Sequence, residues 1–152
     1  MSGAHAILSA SGAARWMACP PSALLEAAEP DTTSEYAEEG SFAHLLAERD
    51  LRKALGERVR RPRGYQNSPY YSEVMEDALE TYVTLVMERV SAHKATTPDP
   101  VILFEQRLDF SRWVPEGYGT GDVVIISDLG IEVIDLKYGK GIPVSAEDNP
   151  QL

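Results

Sequence analysis

The stretch from Gly119 to Gly141 constrains the fold more than any other part of the chain. It contains two short runs rich in Val and Ile, which meet at Asp128-Leu129-Gly130. Runs of β-branched residues on either side of a short, polar, glycine-containing connection are typical of a β-hairpin. The sequence therefore predicts two antiparallel strands here, with a tight turn between them.

Three charged side chains interrupt this apolar hairpin: Asp122 in the first predicted strand, and Asp135 and Lys137 in the second. Because side chains alternate between the faces of a strand, Asp135 and Lys137 point the same way and Leu136 points the opposite way. The register decides whether Asp122 joins them. If the numbers of paired residues add to an odd sum, all three charged groups share one face, and if the sum is even, Asp122 turns away.

Two carboxylates and an ammonium group are costly to bury without a partner. A divalent cation is the simplest partner, because proteins hold Mg²⁺ with one or two carboxylates together with water and phosphate oxygens. The alternative is an ordinary ion pair on a surface hairpin, which contributes little to stability. The spacing alone leaves both interpretations open.

Length and composition indicate one domain over residues 1–152. The pattern along the chain predicts an α/β fold, with helices and a basic loop in 1–67 and a core helix plus a β-sheet in 68–152. No apolar run is long enough to span a membrane, and the single cysteine, Cys19, excludes an internal disulfide, so a cytoplasmic location is expected. The net charge of −10 argues against binding nucleic acid by bulk electrostatics. Seven of the fourteen basic residues nevertheless lie between Arg49 and Arg63, which makes that segment locally positive.

The segment from Ser41 to Leu55 has a helical pattern, with Ser41 as its cap after an acidic loop over residues 29–40. His44 falls on the stripe that should face the protein body. A single inward histidine is more often a hydrogen-bonded core residue than a ligand. Glu48 either orients His44 or pairs with Arg52 one turn later.

The segment over residues 58–71 lacks a helical period and reads as a loop. Its basic and aromatic side chains suit a phosphate backbone and the bases of a single strand, and they suit equally well a solvated loop whose tyrosines anchor the next helix. The residues that would contact nucleic acid are Arg60, Arg61, Arg63 and Tyr65, together with Lys140 after the hairpin.

A long helix from about residue 72 to His93 should pack on the sheet, whose first strand is predicted over Val101–Phe110. In that strand Glu105 is either a further acidic group near the metal or a partner of Arg107. Trp113 is expected to anchor the turn that follows. Cys19 is expected to be a small buried residue.

Gly119-Thr-Gly-Asp122, followed by Asp135-Leu-Lys137-Tyr-Gly-Lys-Gly, resembles the catalytic hairpin of the PD-(D/E)XK nucleases. More narrowly, it resembles the RecB-type exonuclease branch, which includes CRISPR-adaptation nucleases and phage proteins. The run Gly40-Ser-Phe-Ala-His44, with Glu48 four residues on, resembles that branch's Gly-Thr-x-x-His-x-x-x-Glu signature, with serine in place of threonine. Arg15 and Cys19-Pro20 resemble its N-terminal signature.

The resemblance implies a restriction-endonuclease-like core, in which a helix precedes a three-stranded mixed or antiparallel sheet, behind an N-terminal helical segment. The final helix and strand of that core are expected to be missing, because Gln151 matches only the start of the branch's Gln-x-x-x-Tyr helix, whose glutamine lies near the active site. An iron–sulfur cluster, present in some members, is not expected with Cys19 alone.

The implied activity is metal-dependent exonucleolytic hydrolysis of DNA, at ends or in single strands, in phage replication or recombination. Lys137 would act on the attacking water, and Mg²⁺ or Mn²⁺ would be the cofactor. The alternatives are a nucleic-acid-binding or assembly module that keeps the fold without cleaving, and an acidic interaction protein. The implied metal ligands are His44, Asp122, Asp135 and the carbonyl of Leu136.

Overall fold

The computed structural model describes residues 6–29, 34–139, 145 and 147–150. Within these ranges the protein is α/β, with four α-helices and a three-stranded antiparallel sheet. The chain divides into two compact units, one formed by residues 1–32, 105–121 and 143–152 and the other by residues 33–104 and 122–142. This division does not coincide with the predicted regions 1–67 and 68–152. None of the described helices is long and apolar enough to cross a membrane.

The larger unit contains the two long helices, α3 (Glu35–Ala54) and α4 (Glu73–Thr96). Each buries one stripe of apolar side chains at helical spacing, as amphipathic helices of globular proteins do. The two stripes share a core with Val123, Ile125 and Leu136 of the predicted hairpin region. The helical members of this core are Ala43, Leu46, Ala47, Leu51, Met75, Leu79, Tyr82, Val86 and Val90.

Helix α3 begins earlier than the sequence pattern predicted, so the predicted start at Ser41 was wrong. Ser34 is the cap, and its side chain accepts a hydrogen bond from the backbone N–H of Ala37 at 3.2 Å. Glu35 and Glu38 lie in the first turn, where negative charge interacts favourably with the helix dipole. The serine cap and the acidic first turn together offset the cost of about 1 kcal/mol of having a glycine, Gly40, inside the helix. Ser41 instead donates to the carbonyl of Ala37 at 2.8 Å.

Three strands form the sheet in the order β1 (Val101–Asp109), β2 (Tyr118–Ser127) and β3 (Gly130–Ile134). The predicted hairpin is confirmed: β2 and β3 are antiparallel and are joined by a two-residue connection. Gly130 follows it with a φ of +119°, a value that residues with side chains rarely adopt.

Helix α4 is tied to the hairpin by polar contacts of His93, which is only 3% exposed. Its Nδ1 lies 2.6 Å from Oγ of Ser127, and its Nε2 lies 2.8 Å from Oε2 of Glu132. Arg89, one turn earlier in α4, donates to both oxygens of Glu132 at 2.7 and 3.0 Å. The Arg89 guanidinium lowers the pKa of the Glu132 carboxyl, and His93 acts in the same direction.

We expect the free energy of unfolding of Glu132→Gln to depend less on pH under acidic conditions than that of wild type. A carboxyl whose pKa is lowered by folding stabilises the protein above its unfolded pKa of about 4.3, and this stabilisation disappears as the pH falls through the folded pKa. Urea unfolding should therefore show wild type more stable by about 1 kcal/mol at pH 7, with the difference shrinking below pH of about 4. Glu88→Gln, at an exposed position of α4, should follow wild type throughout. A constant difference at all pH values would contradict the assignment.

The smaller unit contains helices α1 (Ala13–Ala18) and α2 (Ser22–Ala27), linked by an ion pair of 2.7 Å between Arg15 and Glu26. Cys19, between the helices, is exposed, so the prediction of a buried residue was wrong. A helix of six residues is too short to cover the residue that follows it.

Candidate metal centre

Asp122 lies in β2, one residue before the first pair of the β2–β3 register, and its side chain is 12% exposed. Its Oδ1 lies 3.2 Å from Nδ1 of His44, and its Oδ2 accepts a hydrogen bond of 2.6 Å from the backbone N–H of Leu136. Both carboxylate oxygens therefore have a described partner. The backbone donor is fixed by the hairpin itself, so it holds the carboxylate in one orientation.

Asp135 and Lys137 follow β3 directly, with Oδ2 of Asp135 2.7 Å from Nζ of Lys137. The Asp135 side chain is 12% exposed and that of Lys137 is 47% exposed, so the carboxylate is shielded while the ammonium group reaches solvent. Leu136 between them is buried in the core. This is the alternation that the sequence predicted, with the charged side chains on one face and the leucine on the other.

The register of the hairpin decides the position of Asp122 relative to this pair. Val123 pairs with Ile134, and each further pair has the same odd sum. Continuing the register by one residue places Asp135 opposite Asp122. Asp122, Asp135 and Lys137 therefore share a face, and the even register that would have turned Asp122 away is excluded.

His44 projects from α3 beside the buried residues Ala43, Leu46 and Ala47. Its side chain is 29% exposed and reaches Asp122, which is 78 positions away in the sequence. Packing of α3 thus holds the imidazole nitrogen beside a shielded carboxylate. The contact does not depend on two flexible surface side chains. Carboxylate oxygens are the ligands that Mg²⁺ and Mn²⁺ prefer, and an added imidazole suits Mn²⁺.

Glu48 pairs with Arg52, one turn later in α3. The Nε of Arg52 donates to Glu48 at 2.7 Å, and this bond raises the pKa of the guanidinium. Arg52 also contacts Glu57 at 3.2 Å and lies 4.8 Å from the centre of the Phe104 ring. Of the two predicted roles of Glu48, the structure shows the ion pair with Arg52.

Arg61 is bound internally, although it was predicted to contact nucleic acid. It donates to both carboxylate oxygens of Asp50, and its Nη1 lies 2.5 Å from Glu76. The guanidinium also lies 4.8 Å from the centre of the Tyr65 ring, which packs edge-on against Tyr71 at 5.5 Å. These contacts hold the loop in place, while nucleic-acid binding by Arg61 and Tyr65 stays a prediction.

The described structure does not show Arg60, Arg63, Lys140 or Gln151 at the centre. Arg60 and Arg63 are exposed in the loop that Arg61 anchors. Lys140 and Gln151 lie outside the described residues. Glu105 is exposed in β1 and belongs to the smaller unit, so its role near a metal stays a prediction.

A family model described as "Protein of unknown function (DUF2800)" matches residues 5–152, which is nearly the whole chain. The chain belongs to the DUF2800 family. The match includes α3 and the β2–β3 hairpin, so every residue of the candidate centre lies within the DUF2800 region. No solved structure matches the chain.

Sequence reasoning missed one contact of this DUF2800 centre, the hydrogen bond from the Leu136 N–H to Asp122. Every residue except proline carries a backbone donor, so no residue type signals one. The odd register was the available signal. It places Asp135 opposite Asp122, so the backbone N–H of the next residue, Leu136, comes close to the Asp122 side chain.

Proposed function

We propose that this protein is a metal-dependent nuclease that hydrolyses DNA phosphodiester bonds. Asp122, Asp135 and His44 would hold Mg²⁺ or Mn²⁺, with the carbonyl of Leu136 as a further ligand. The proposal rests on one observation: a carboxylate that is 12% exposed contacts an imidazole from another element at 3.2 Å, on the hairpin face that also carries Asp135 and Lys137. The same proposal includes the fold: the helices and the sheet would form a restriction-endonuclease-like core.

The shielding of the carboxylates favours a cation over a surface ion pair. Asp122 and Asp135 are both mostly removed from water, and Lys137 supplies the centre with one full positive charge. Removing two carboxylates from water is unfavourable unless their charge is compensated. A divalent cation would supply the missing charge, and the donor set of two carboxylates and an imidazole matches its chemistry.

Each side chain has a distinct role in this proposal. Asp122 is held by the Leu136 N–H and His44 by α3, so the donors are oriented before a cation arrives. When bound, the cation polarises the phosphoryl oxygen and lowers the pKa of its water. Lys137 is half exposed beside Asp135, where its ammonium group can orient the attacking water and stabilise negative charge on the phosphate.

The resemblance to RecB-type exonucleases supports the choice of DNA, of ends or single strands as the substrate, and of phage replication or recombination in the cytoplasm as the setting. The charge balance favours a different candidate, an acidic interaction protein whose hairpin carries only ion pairs, because the net charge is −10. The two candidates differ in whether the centre binds a cation at all.

Titration with Mn²⁺ distinguishes them. We expect Mn²⁺ binding to weaken by at least about tenfold in Asp122→Asn and in His44→Ala, because each substitution removes a ligand. Glu48→Gln is the matched control, since Glu48 lies one turn from His44 but pairs with Arg52, and it should bind like wild type. Isothermal titration calorimetry makes the measurement. Equal Mn²⁺ affinity in all four proteins would exclude the centre, and with it the nuclease.

A further inference from the structure

Trp113 lies in the connection between β1 and β2 and is 74% exposed, although it was expected to anchor that turn. Burying an indole ring is one of the most favourable contributions a side chain makes to a fold, so such a ring is seldom left mostly in water. A tryptophan displayed on the surface therefore points to a ligand that covers it.

The turn that carries Trp113 is fixed by backbone hydrogen bonds. The N–H groups of Trp113 and Val114 both donate to the carbonyl of Phe110, at 2.9 and 3.1 Å. Gly117 and Phe110 close the turn, with the Phe110 N–H donating to Gly117 at 3.1 Å. The backbone that carries the ring is thus ordered, which reduces the entropy that binding would cost.

Packing fixes the same turn from the inside. A Cβ atom on Gly117 would lie 2.5 Å from Cε2 of Phe110, so the ring of Phe110 occupies the space that any other residue would need. Glu116 adopts a φ of 55°, an unfavourable value for a residue with a side chain. The phenylalanine, rather than the tryptophan, is the anchor of this turn.

Arginine side chains lie beside two aromatic rings in β1, β2 and the connection between them. The guanidinium of Arg112 lies 5.7 Å from the centre of the Trp113 ring, and that of Arg107 lies 3.7 Å from the centre of the Tyr118 ring. An exposed aromatic plane beside a cation matches the two parts of a nucleotide, because the base stacks on the ring and the phosphate pairs with the guanidinium.

We propose that Trp113 and Arg112 form a stacking platform for a base of single-stranded nucleic acid. The platform deepens the proposed nuclease function, on which it rests, by assigning residues that hold the substrate. A protein partner is less well matched, because docking surfaces present contiguous apolar area, whereas Trp113 is the only exposed large hydrophobic side chain in the turn over residues 110–117, beside exposed Ser111, Arg112, Pro115 and Glu116.

Binding without cleavage provides the test. The full chain is titrated into a fluorescein-labelled oligodeoxythymidine in EDTA, so that no divalent cation is present. We expect Trp113→Ala to weaken binding by about tenfold and Trp113→Phe to keep most of the affinity. Arg112→Ala should lower the slope of log affinity against log salt by about 1, because one phosphate contact is lost. Tyr36→Ala removes another exposed aromatic ring, 63% exposed in α3, and should bind like wild type.

Fluorescence gives a second measurement that does not depend on a truncated side chain. The chain has two tryptophans, so Trp16→Phe leaves Trp113 as the only one. Its emission should be quenched as oligodeoxythymidine binds, because a stacked base quenches indole. Wild type that fails to bind the oligonucleotide, Trp113→Ala with unchanged affinity, or unquenched Trp113 emission would each overturn the platform. If the nuclease proposal alone fails, Mn²⁺-dependent cleavage is absent while binding in EDTA and its loss in Trp113→Ala remain.

Discussion

Asp135→Asn is expected to lower the rate of Mn²⁺-dependent cleavage of single-stranded DNA by roughly 10³-fold or more, since a metal ion contributes several kcal/mol to such reactions and each 1.4 kcal/mol is tenfold in rate. Asp135 is 12% exposed and shares its face with Asp122 across the hairpin. The amide keeps the shape of the side chain but removes its negative charge. The fold should survive, because Asp135 is outside the apolar core.

Lys137→Met separates cation binding from chemistry at the same centre. Lys137 contacts Asp135 at 2.7 Å and is half exposed, so its removal leaves the carboxylates and His44 in place. We expect the cleavage rate to fall by about 10²–10⁴-fold, the range for a side chain that assists proton transfer, while Mn²⁺ affinity is retained or increased. Asp135→Asn should reduce both.

The measurement is the rate of degradation of a 5′-labelled single strand at several Mn²⁺ concentrations, with circular dichroism to verify folding. Asp128→Asn is the matched control, because Asp128 lies in the same hairpin but in its exposed turn, and it should cleave like wild type. Cleavage by Asp135→Asn at the wild-type rate would exclude the proposed centre. Folded wild-type protein that binds DNA but cleaves at no Mn²⁺ concentration would indicate the non-catalytic binding module.

The hairpin and its charged face could be predicted because they depend on local rules. Alternation along a strand places Asp135 and Lys137 together and Leu136 in the core, whatever the rest of the chain does. The turn at Asp128 is signalled by its residue types. The register could only be stated as a condition, since it is set by which face of β2 the helices cover, and that is a property of the whole unit.

The contact between His44 and Asp122 joins positions 78 residues apart, so no local pattern could give it. The sequence placed His44 on the inward stripe of a helix, and only the resemblance suggested its partner. The start of α3 was missed for a different reason. A glycine and a serine at positions 40 and 41 look like a helix start, but the capping serine and acidic first turn at positions 34–38 decide the outcome.

Exposure at the ends of short elements was the least predictable property. Cys19 was expected to be buried because its residue type usually is, and Trp113 was expected to anchor the turn after β1. Cys19 follows a helix of six residues and is exposed, while the ring of Phe110 packs against Gly117 and Trp113 is exposed. Residue type alone cannot decide which of two nearby aromatic rings packs inward.

Arg61→Ala is expected to have the largest effect on stability, a loss of about 3 kcal/mol in the free energy of unfolding, because it leaves two partly buried carboxylates without their counter-charge. The Arg61 side chain is 17% exposed and joins Asp50 of α3 to Glu76 of α4. It lowers the pKa of the Glu76 carboxyl, so that carboxylate is stabilised in the folded protein above its unfolded pKa.

Urea unfolding at pH 7 measures the loss, and the exposed neighbour Arg60 supplies the control, since Arg60→Ala should change stability by no more than about 0.5 kcal/mol. Adding Asp50→Asn and Glu76→Gln to Arg61→Ala should recover part of the loss, because the unpaired carboxylates then no longer carry charge. The same variants decide between the two predicted roles of the loop. A phosphate-binding Arg61 would give the reverse pattern, with unchanged urea midpoints and weaker DNA binding. Because Arg61 forms internal ion pairs with Asp50 and Glu76, we expect its removal to lower the free energy of unfolding rather than the affinity for DNA.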